Sequence, residues 1–345
     1  MRYCGIDLGG ASSYVYISDV RGRKLKCEPV PTTKEGFKRS LGPSLREGLK
    51  IAIEAGNQTA WVYEYLKELG AEVVVVHPQR VKLIAESRKK TDKVDAKILC
   101  ELLRLDGLPQ PVHMPGEVAR ALRGLLVARQ QLIAARTKLC NVVRGMLRQE
   151  GTRLKSRALS TRIGWQRVME QGFQHEHVMQ ITATYFDTFV ALCNSIKEID
   201  SQLHVQAKTH PDARRLQQMP KVGRIASLTF VAAVDDIQRF PSSRQLIGYT
   251  GLAPKVRQSS ERTEYGEITR EGRKELRAVW VQIAHLVARD RKRDTQPLRS
   301  WFNRLAKRRG KKTALVALAR KLLTIAYHLL KYEQDYDPRC LKRAA

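Results

Sequence analysis

The sequence predicts an α/β domain built on a mixed sheet, followed by a long-helix segment and a mainly α C-terminal domain. Three observations predict it. The first hundred residues alternate short apolar strand-like runs with amphipathic stretches. From Glu117 apolar residues recur every seven positions. Beyond about Gln206 the spacing is helical again, broken by one polar, glycine-containing stretch.

The elements follow in order. Arg2 to Leu8, Ser13 to Ser18 and Lys24 to Val30 read as three strands, separated by glycine and charged turn residues as in a meander. Lys34 to Leu49 reads as a helix, and Ile51 to Glu54 as a short buried strand. Thr59 to Leu69 is an amphipathic helix with Gly70 placed to end it. Glu72 to Val76 is another buried strand, and a helix starts near Asp92. Three antiparallel strands followed by alternating helices and strands are the order of a ribonuclease H-like domain.

Leu108 to Pro115 holds three prolines and reads as a linker. Beyond it, Leu125, Leu132, Leu139 and Met146 form one heptad column, and Leu126, Ile133, Cys140 and Leu147 a second. This is a long helix with a coiled-coil-like seam. Gly151 to Gly172 is basic and weakly patterned. Val178 to Leu203 gives a second helix with one apolar face. The pair suits either an assembly element or an intramolecular bundle. Leu252 to Gly272 lacks apolar periodicity and reads as a loop before the helix Lys274 to Arg289. The expected domains are 1–108, 109–205 and 206–345.

Charge restricts the partners. There are 63 Lys and Arg against 34 Asp and Glu, a formal net charge of +29. Such an excess repels itself in a compact state, so a polyanion is the natural partner. No apolar run looks long enough to span a bilayer, because Thr313 to Leu330 is interrupted by Arg320 and Lys321. The N-terminus has no long apolar signal region. Nucleic acid is therefore expected, and a membrane is not. The six scattered cysteines form no CxxC pair, which argues against disulfide or zinc frameworks and fits a reducing cytoplasm.

Four acids carry the candidate chemistry. Asp7 ends the first strand, Glu54 ends the fourth, and Asp92 and Asp95 open a helix. A spacing of three puts the last two on one helix face. Magnesium takes hard oxygen ligands, and two such ions can clamp the attacking and leaving oxygens of a phosphoryl transfer. The competing reading of Asp92 is a helix N-cap, with Asp95 at N3. An ionised Asp7 in a buried strand is harder to explain without a pairing group or a metal. GIDLGG also has a rival meaning as a phosphate loop of actin-like kinases, but the further phosphate and adenosine segments those folds need are missing.

The series GIDLG, IEAG and KTDKVDAKIL, then MPKVG, YTGLAP and EGRKELR, resembles the insertion-sequence 110 transposases over nearly the whole chain. These are DEDD recombinases guided by a bridge RNA. The resemblance implies a RuvC-like domain, a coiled-coil segment and a transposase domain. It implies Asp7, Glu54, Asp92 and Asp95 as a tetrad binding two Mg2+ ions. It also implies a serine nucleophile shortly after GLAP, here Ser259, with Ser260 adjacent. Donor and target DNA, a noncoding bridge RNA and a dimer or synaptic tetramer are the implied partners, in the cytoplasm at the bacterial nucleoid. Because Ser259 lies far along the chain from the acids, their joint action requires assembly between domains or protomers. Arg257, Arg262, Arg270, Arg273 and Arg277 crowd the serine segment, and Lys307, Arg308, Arg309, Lys311 and Lys312 form a basic turn; all ten are expected to contact phosphates. The turn in Met219 to Ser227 resembles a helix-hairpin-helix, whose amides at a helix start could hold a phosphate.

Overall fold

The computed structural model describes residues 1–84, 91–173, 175–259 and 262–338, with backbone alone for 257–259 and 262–265. The chain divides into two compact units, 1–115 and 116–345.

The first unit is a five-stranded mixed sheet. Strands β1 (Arg2–Asp7), β2 (Ser12–Ser18) and β3 (Lys24–Pro31) form the meander. Helix α1 (Lys34–Leu45) leads to β4 (Leu49–Glu54), and α2 (Thr59–Glu68) to β5 (Glu72–Val76). The strand order is β3-β2-β1-β4-β5. β1 and β2 pair antiparallel, as do β2 and β3, whereas β4 runs parallel to both β1 and β5. The β-branched runs of β4 and β5 suit strands covered on both faces. Helix α1 stops earlier than its pattern suggests because Gly48, at φ +78, turns the chain and frees Leu49 to open β4. His77 and Pro78 end β5 as expected, but Pro78 also starts α3 (Pro78–Ile84), a position where its missing N–H costs nothing. Helix α4 (Asp92–Arg104) packs along β1. The 108–115 segment has no regular structure, yet it is pinned: Val112 N–H donates to Val75 O at 2.7 Å, and Val112 and Met114 pack on the sheet core.

The second unit is mainly helical. Helices α5 (Glu117–Gln149) and α7 (Glu176–Thr209) run antiparallel against each other. Arg129 bonds Asp200 at 2.6 Å, and one heptad further along Arg136 contacts Cys193 at 3.9 Å. At one end Leu139, Val143 and Leu147 bury against Val178 and Phe189; at the other Leu122 buries with Leu203. The heptad columns thus face a partner inside the same chain.

The weakly patterned stretch between these helices contains α6 (Arg162–Glu170), anchored by Trp165. That ring is fully buried 5.3 Å from Phe189, and its N–H donates to Leu159 O at 3.0 Å. Only Trp165 and Val168 of this short helix are buried, too few to give a periodic signal.

The remaining helices are α8 (Pro211–Leu216), α9 (Arg224–Val234), α10 (Ser243–Tyr249), α11 (Lys274–Arg289), α12 (Gln296–Arg309) and α13 (Lys311–Lys331). The sequence leaves Leu252 to Gly272 as a loop, but much of it is a hairpin, β6 (Pro254–Ser259) antiparallel to β7 (Arg262–Ile268). Lys255, Val256, Gly266 and Glu267 are exposed. Strand residues whose side chains face solvent need no alternating apolar pattern, so these positions leave none to read. The expectation about membrane length also needs correction. Helix α13, at 21 residues with mean hydropathy 1.4, is long and apolar enough to cross a bilayer by composition. Leu318, Leu322, Leu323 and Ala326 are instead fully buried in the helical core.

Candidate active site and nucleic-acid surface

Each of the four predicted acids ends or begins an element of the first unit. Asp7 is the last residue of β1, and Glu54 the last of β4. These strands are parallel neighbours in register up to Ile6 opposite Ile53, so both acids emerge at the same strand ends. Asp92 and Asp95 lie in the first turn of α4.

Glycine 5 explains how α4 reaches them. A Cβ there would sit 2.0 Å from Ala96 O and 2.5 Å from Cys100 N. The helix backbone therefore lies directly on β1. Cys100 also bonds Tyr3 O at 3.3 Å, so α4 runs antiparallel to the strand. Four helical residues advance about 6 Å, close to two strand residues. Stepping from Cys100 over Tyr3 to Ala96 over Gly5 brings Asp92 level with Asp7. Leu99 packs in one cluster with Ala52 and Val76, which sets the same helix against β4 as well. Because alternate strand residues share a face, Asp7 and Glu54 lie on the α4 side of the sheet, with Gly5 and Ala52.

The helix start resolves the competing role for Asp92. Thr91 is the N-cap, its hydroxyl accepting from Val94 N–H at 3.4 Å. Asp92 is thus the first helical residue and Asp95 the fourth, not cap and N3. Both still benefit from the positive helix end.

Residues outside the sequence expectation fix the loops after the two strand-end acids. Gln58 Nε2 donates to Gly9 O at 3.1 Å and to Gly10 O at 2.8 Å, tying the loop after β1 to the loop after β4. Thr59 is buried; it donates to Glu54 O at 3.0 Å and accepts from Gly56 N–H at 2.7 Å. Thr32 donates to Gly9 O at 3.1 Å, and Ser13 and Thr32 hydroxyls meet at 2.8 Å. These residues act through backbone carbonyls and amides, so no motif spacing marks them.

Among the described residues, no group of three or more His, Cys, Asp or Glu side chains is close enough to hold a metal ion. The donor set nonetheless suits a hard divalent cation, because it offers carboxylate oxygens without thiolate or imidazole. His175 and His177 lie with ring centroids 5.4 Å apart, and His175 Nδ1 is 2.7 Å from Glu150 Oε2. Among the described residues they belong to no group of three or more metal-ligating side chains, so they form a surface contact.

In the second unit, the YTGLAP and EGRKELR motifs interlock. Arg273 N–H donates to Tyr249 O at 3.0 Å, and Arg270 N–H to Gly251 O at 3.1 Å. Arg277 Nη1 donates to Thr250 O and Arg270 O, each at 3.1 Å. A Cβ on Gly251, at φ +70, would sit 2.5 Å from Glu271 O, and one on Gly272 2.3 Å from Tyr249 O. Arg273 Nε donates to the Tyr249 hydroxyl at 3.0 Å, and Arg239 lies over the Tyr249 ring. The two motifs thus build a rigid base for the β6-β7 ribbon.

Ser259 is the last residue of β6, paired through its backbone with Arg262 at the ribbon tip. The side chains of Ser259, Arg257 and Arg262, and all of Ser260, lie outside the described residues. Of the other predicted phosphate contacts, Arg273 and Arg277 are engaged inside the protein. Arg270 is exposed, with Glu267 at 3.4 Å. Lys307, Arg308 and Arg309 form the last turn of α12, and Lys311 and Lys312 the first turn of α13 across Gly310 at φ +81; all five cations are exposed.

Comparisons with known proteins bear on both units. A family model described as Transposase, of the DEDD type of IS110 elements, matches residues 4–151. A second, described as Transposase IS116/IS110/IS902 family, matches residues 213–299. The chain is 27% identical over 341 residues to the transposase for insertion sequence element IS1111A of Coxiella burnetii, covering 98% of this chain and 88% of that protein. It is 30% identical over 314 residues to a probable family 20 transposase of Pseudomonas aeruginosa, covering 88% of each. It is 29% identical over 153 residues to the pilin gene-inverting protein of Moraxella bovis, covering 42% of this chain and 46% of that one. These matches define a transposase, an enzyme that cleaves and rejoins DNA. More particularly, the chain belongs to the IS110 family of transposases.

Proposed function

We propose that this transposase exchanges DNA strands through a covalent phosphoserine link, using the four carboxylates as its metal-binding group and a noncoding RNA as its guide. The reading is carried by Asp7 and Glu54 ending parallel neighbouring strands while Asp92 and Asp95 open the helix that packs along β1. The strand order β3-β2-β1-β4-β5 supports a ribonuclease H-like, RuvC-like assignment for this unit. The sequence division at 108 and 205 stays part of this proposal, with α5 and α7 as the assembly segment.

Magnesium, when bound, would activate the attacking oxygen and stabilise the leaving one. The carboxylates would hold it with hard oxygen donors, and the loops tied by Gln58 and Thr59 would keep Asp7 and Glu54 in place. Ser259 Oγ would form a bond to phosphorus as the bond from phosphorus to a DNA sugar oxygen breaks. The serine proton ends on the leaving sugar hydroxyl. Attack by the hydroxyl of another strand reverses the step and reseals the DNA without ATP. The rigid turn under the β6-β7 ribbon supports this role, since a nucleophile needs a fixed base.

A denatured gel of wild-type protein with labelled DNA should show a protein–DNA adduct that Ser259→Ala abolishes and Ser260→Ala retains. The opposite pattern moves the nucleophile by one residue. Cleavage with no adduct in any variant favours the second reading, hydrolysis by the acids alone, as in a junction resolvase. The guided reading has its own check. RNA copurifying with the full chain should contain one defined transcript from DNA flanking its gene, and random cellular RNA would oppose it. Double-stranded donor and target DNA would then be the substrates of a dimer or tetramer in the bacterial cytoplasm.

A further inference from the structure

A second basic site lies within the helical unit, separate from the ribbon and the α12–α13 turn. A cavity of about 360 Å3 opens between α5, α7 and the start of α9. Arg129 from α5, Lys197 and His204 from α7, and Arg224 from α9 line it, with Asp200 and Ile225. Three cations against one carboxylate leave two positive charges in excess. Asp200 already accepts from Arg129 at 2.6 Å. Lys197 and Asp200 are three residues apart on α7 and His204 four further, so all three share the face turned to the cavity.

His204 lies among these cations. Arg224 Nη1 contacts its Nδ1. A guanidinium can only donate, so the pair holds together only with that ring nitrogen as the acceptor. Burial, with Lys208 and Arg224 nearby, lowers its pKa. Arg224 is also the first residue of α9, and its N-cap Gly223 has no side chain to occupy the first-turn amides. Cations from three helices therefore converge beside a helix start that offers N–H donors.

We propose that this cavity is a phosphodiester subsite, holding one backbone phosphate of the nucleic acid the transposase works on. An acidic tetrahedral group fits cations arriving from several directions, and a polyanion answers the +29 charge of the whole chain. The inference rests on the nucleic-acid reading above and extends the phosphate-holding helix start within Met219 to Ser227 to cations contributed by α5 and α7.

Fluorescence anisotropy on the full chain over a KCl series tests it, with a labelled DNA duplex and an RNA hairpin as separate probes. Lys197→Gln and Arg224→Gln should each weaken at least one probe about fivefold near physiological salt and flatten its log–log salt slope by about one. Lys38→Gln, which removes the same charge from exposed α1, should change neither. Arg224→Lys should keep the wild-type slope, which separates lost charge from lost fold. The probe that responds identifies whether DNA or RNA supplies the phosphate. Wild-type affinity and slope in a Lys197→Gln/Arg224→Gln double variant overturn the subsite while the nucleic-acid reading stands. Failure of the wild-type chain to bind either probe overturns both.

Discussion

Asp95→Ala should abolish magnesium-dependent strand cleavage while the protein stays folded. The expected loss is about 10^3-fold or more, on the several-kcal/mol scale that metal-assisted charge stabilisation supplies. The folding cost should be small. Asp95 sits in the first turn of α4 and Thr91 does the capping, so the substitution removes only a helix-end charge interaction of about 0.3–1 kcal/mol. Its thermal midpoint should therefore fall by no more than a few degrees. Asp7→Ala and Glu54→Ala should be equally inactive. Cleavage assays and melting curves on the same preparations decide the matter. Wild-type cleavage by Asp95→Ala would sink the tetrad, whereas no magnesium-dependent cleavage by the wild-type chain would favour a nucleic-acid-binding role in which these acids are vestigial.

Gly5→Ala should be the most damaging small substitution in the first unit. A methyl at residue 5 meets Ala96 O at 2.0 Å and Cys100 N at 2.5 Å, both backbone atoms of a helix that cannot rotate away. Helix α4 must lift from the sheet, opening the contacts of Leu99 with Ala52 and Val76. Overpacking of this kind costs about 1–3 kcal/mol, and lost core contacts add to it. Asp92 and Asp95 move with the helix, so cleavage should fall with stability. Denaturant titration and a cleavage assay read the two together. A Gly5→Ala protein with unchanged stability would show that α4 does not rest on β1 as described.

Much of the first unit is legible in the sequence because its strands are apolar and its acids are not. Asp7 and Glu54 stand out where an apolar run meets a charge, and each proves to be a strand end. The exact cap is less legible, since Thr91 and Asp92 are both good N-cap types and only the backbone chooses between them. Gln58 and Thr59 escape notice because they hold loop backbone atoms. In the second unit the long helices announce themselves by heptads, but α6 buries only Trp165 and Val168. The β6-β7 ribbon hides too, because its solvent-facing residues need no alternating apolar pattern. That is also why the serine rests on family resemblance, whereas the acids have support from their own positions.

The antiparallel match of α5 and α7 makes the helical pair a length gauge. Arg129 meets Asp200, and seven residues further along α5, Arg136 meets Cys193, seven residues back along α7. One residue inserted into a single arm would turn everything beyond it by about 100° and shear every later rung. A whole heptad added to both arms would lengthen the pair and leave its rungs aligned. The separation between the two ends of this pair can therefore change only in coordinated steps, each about 10 Å long.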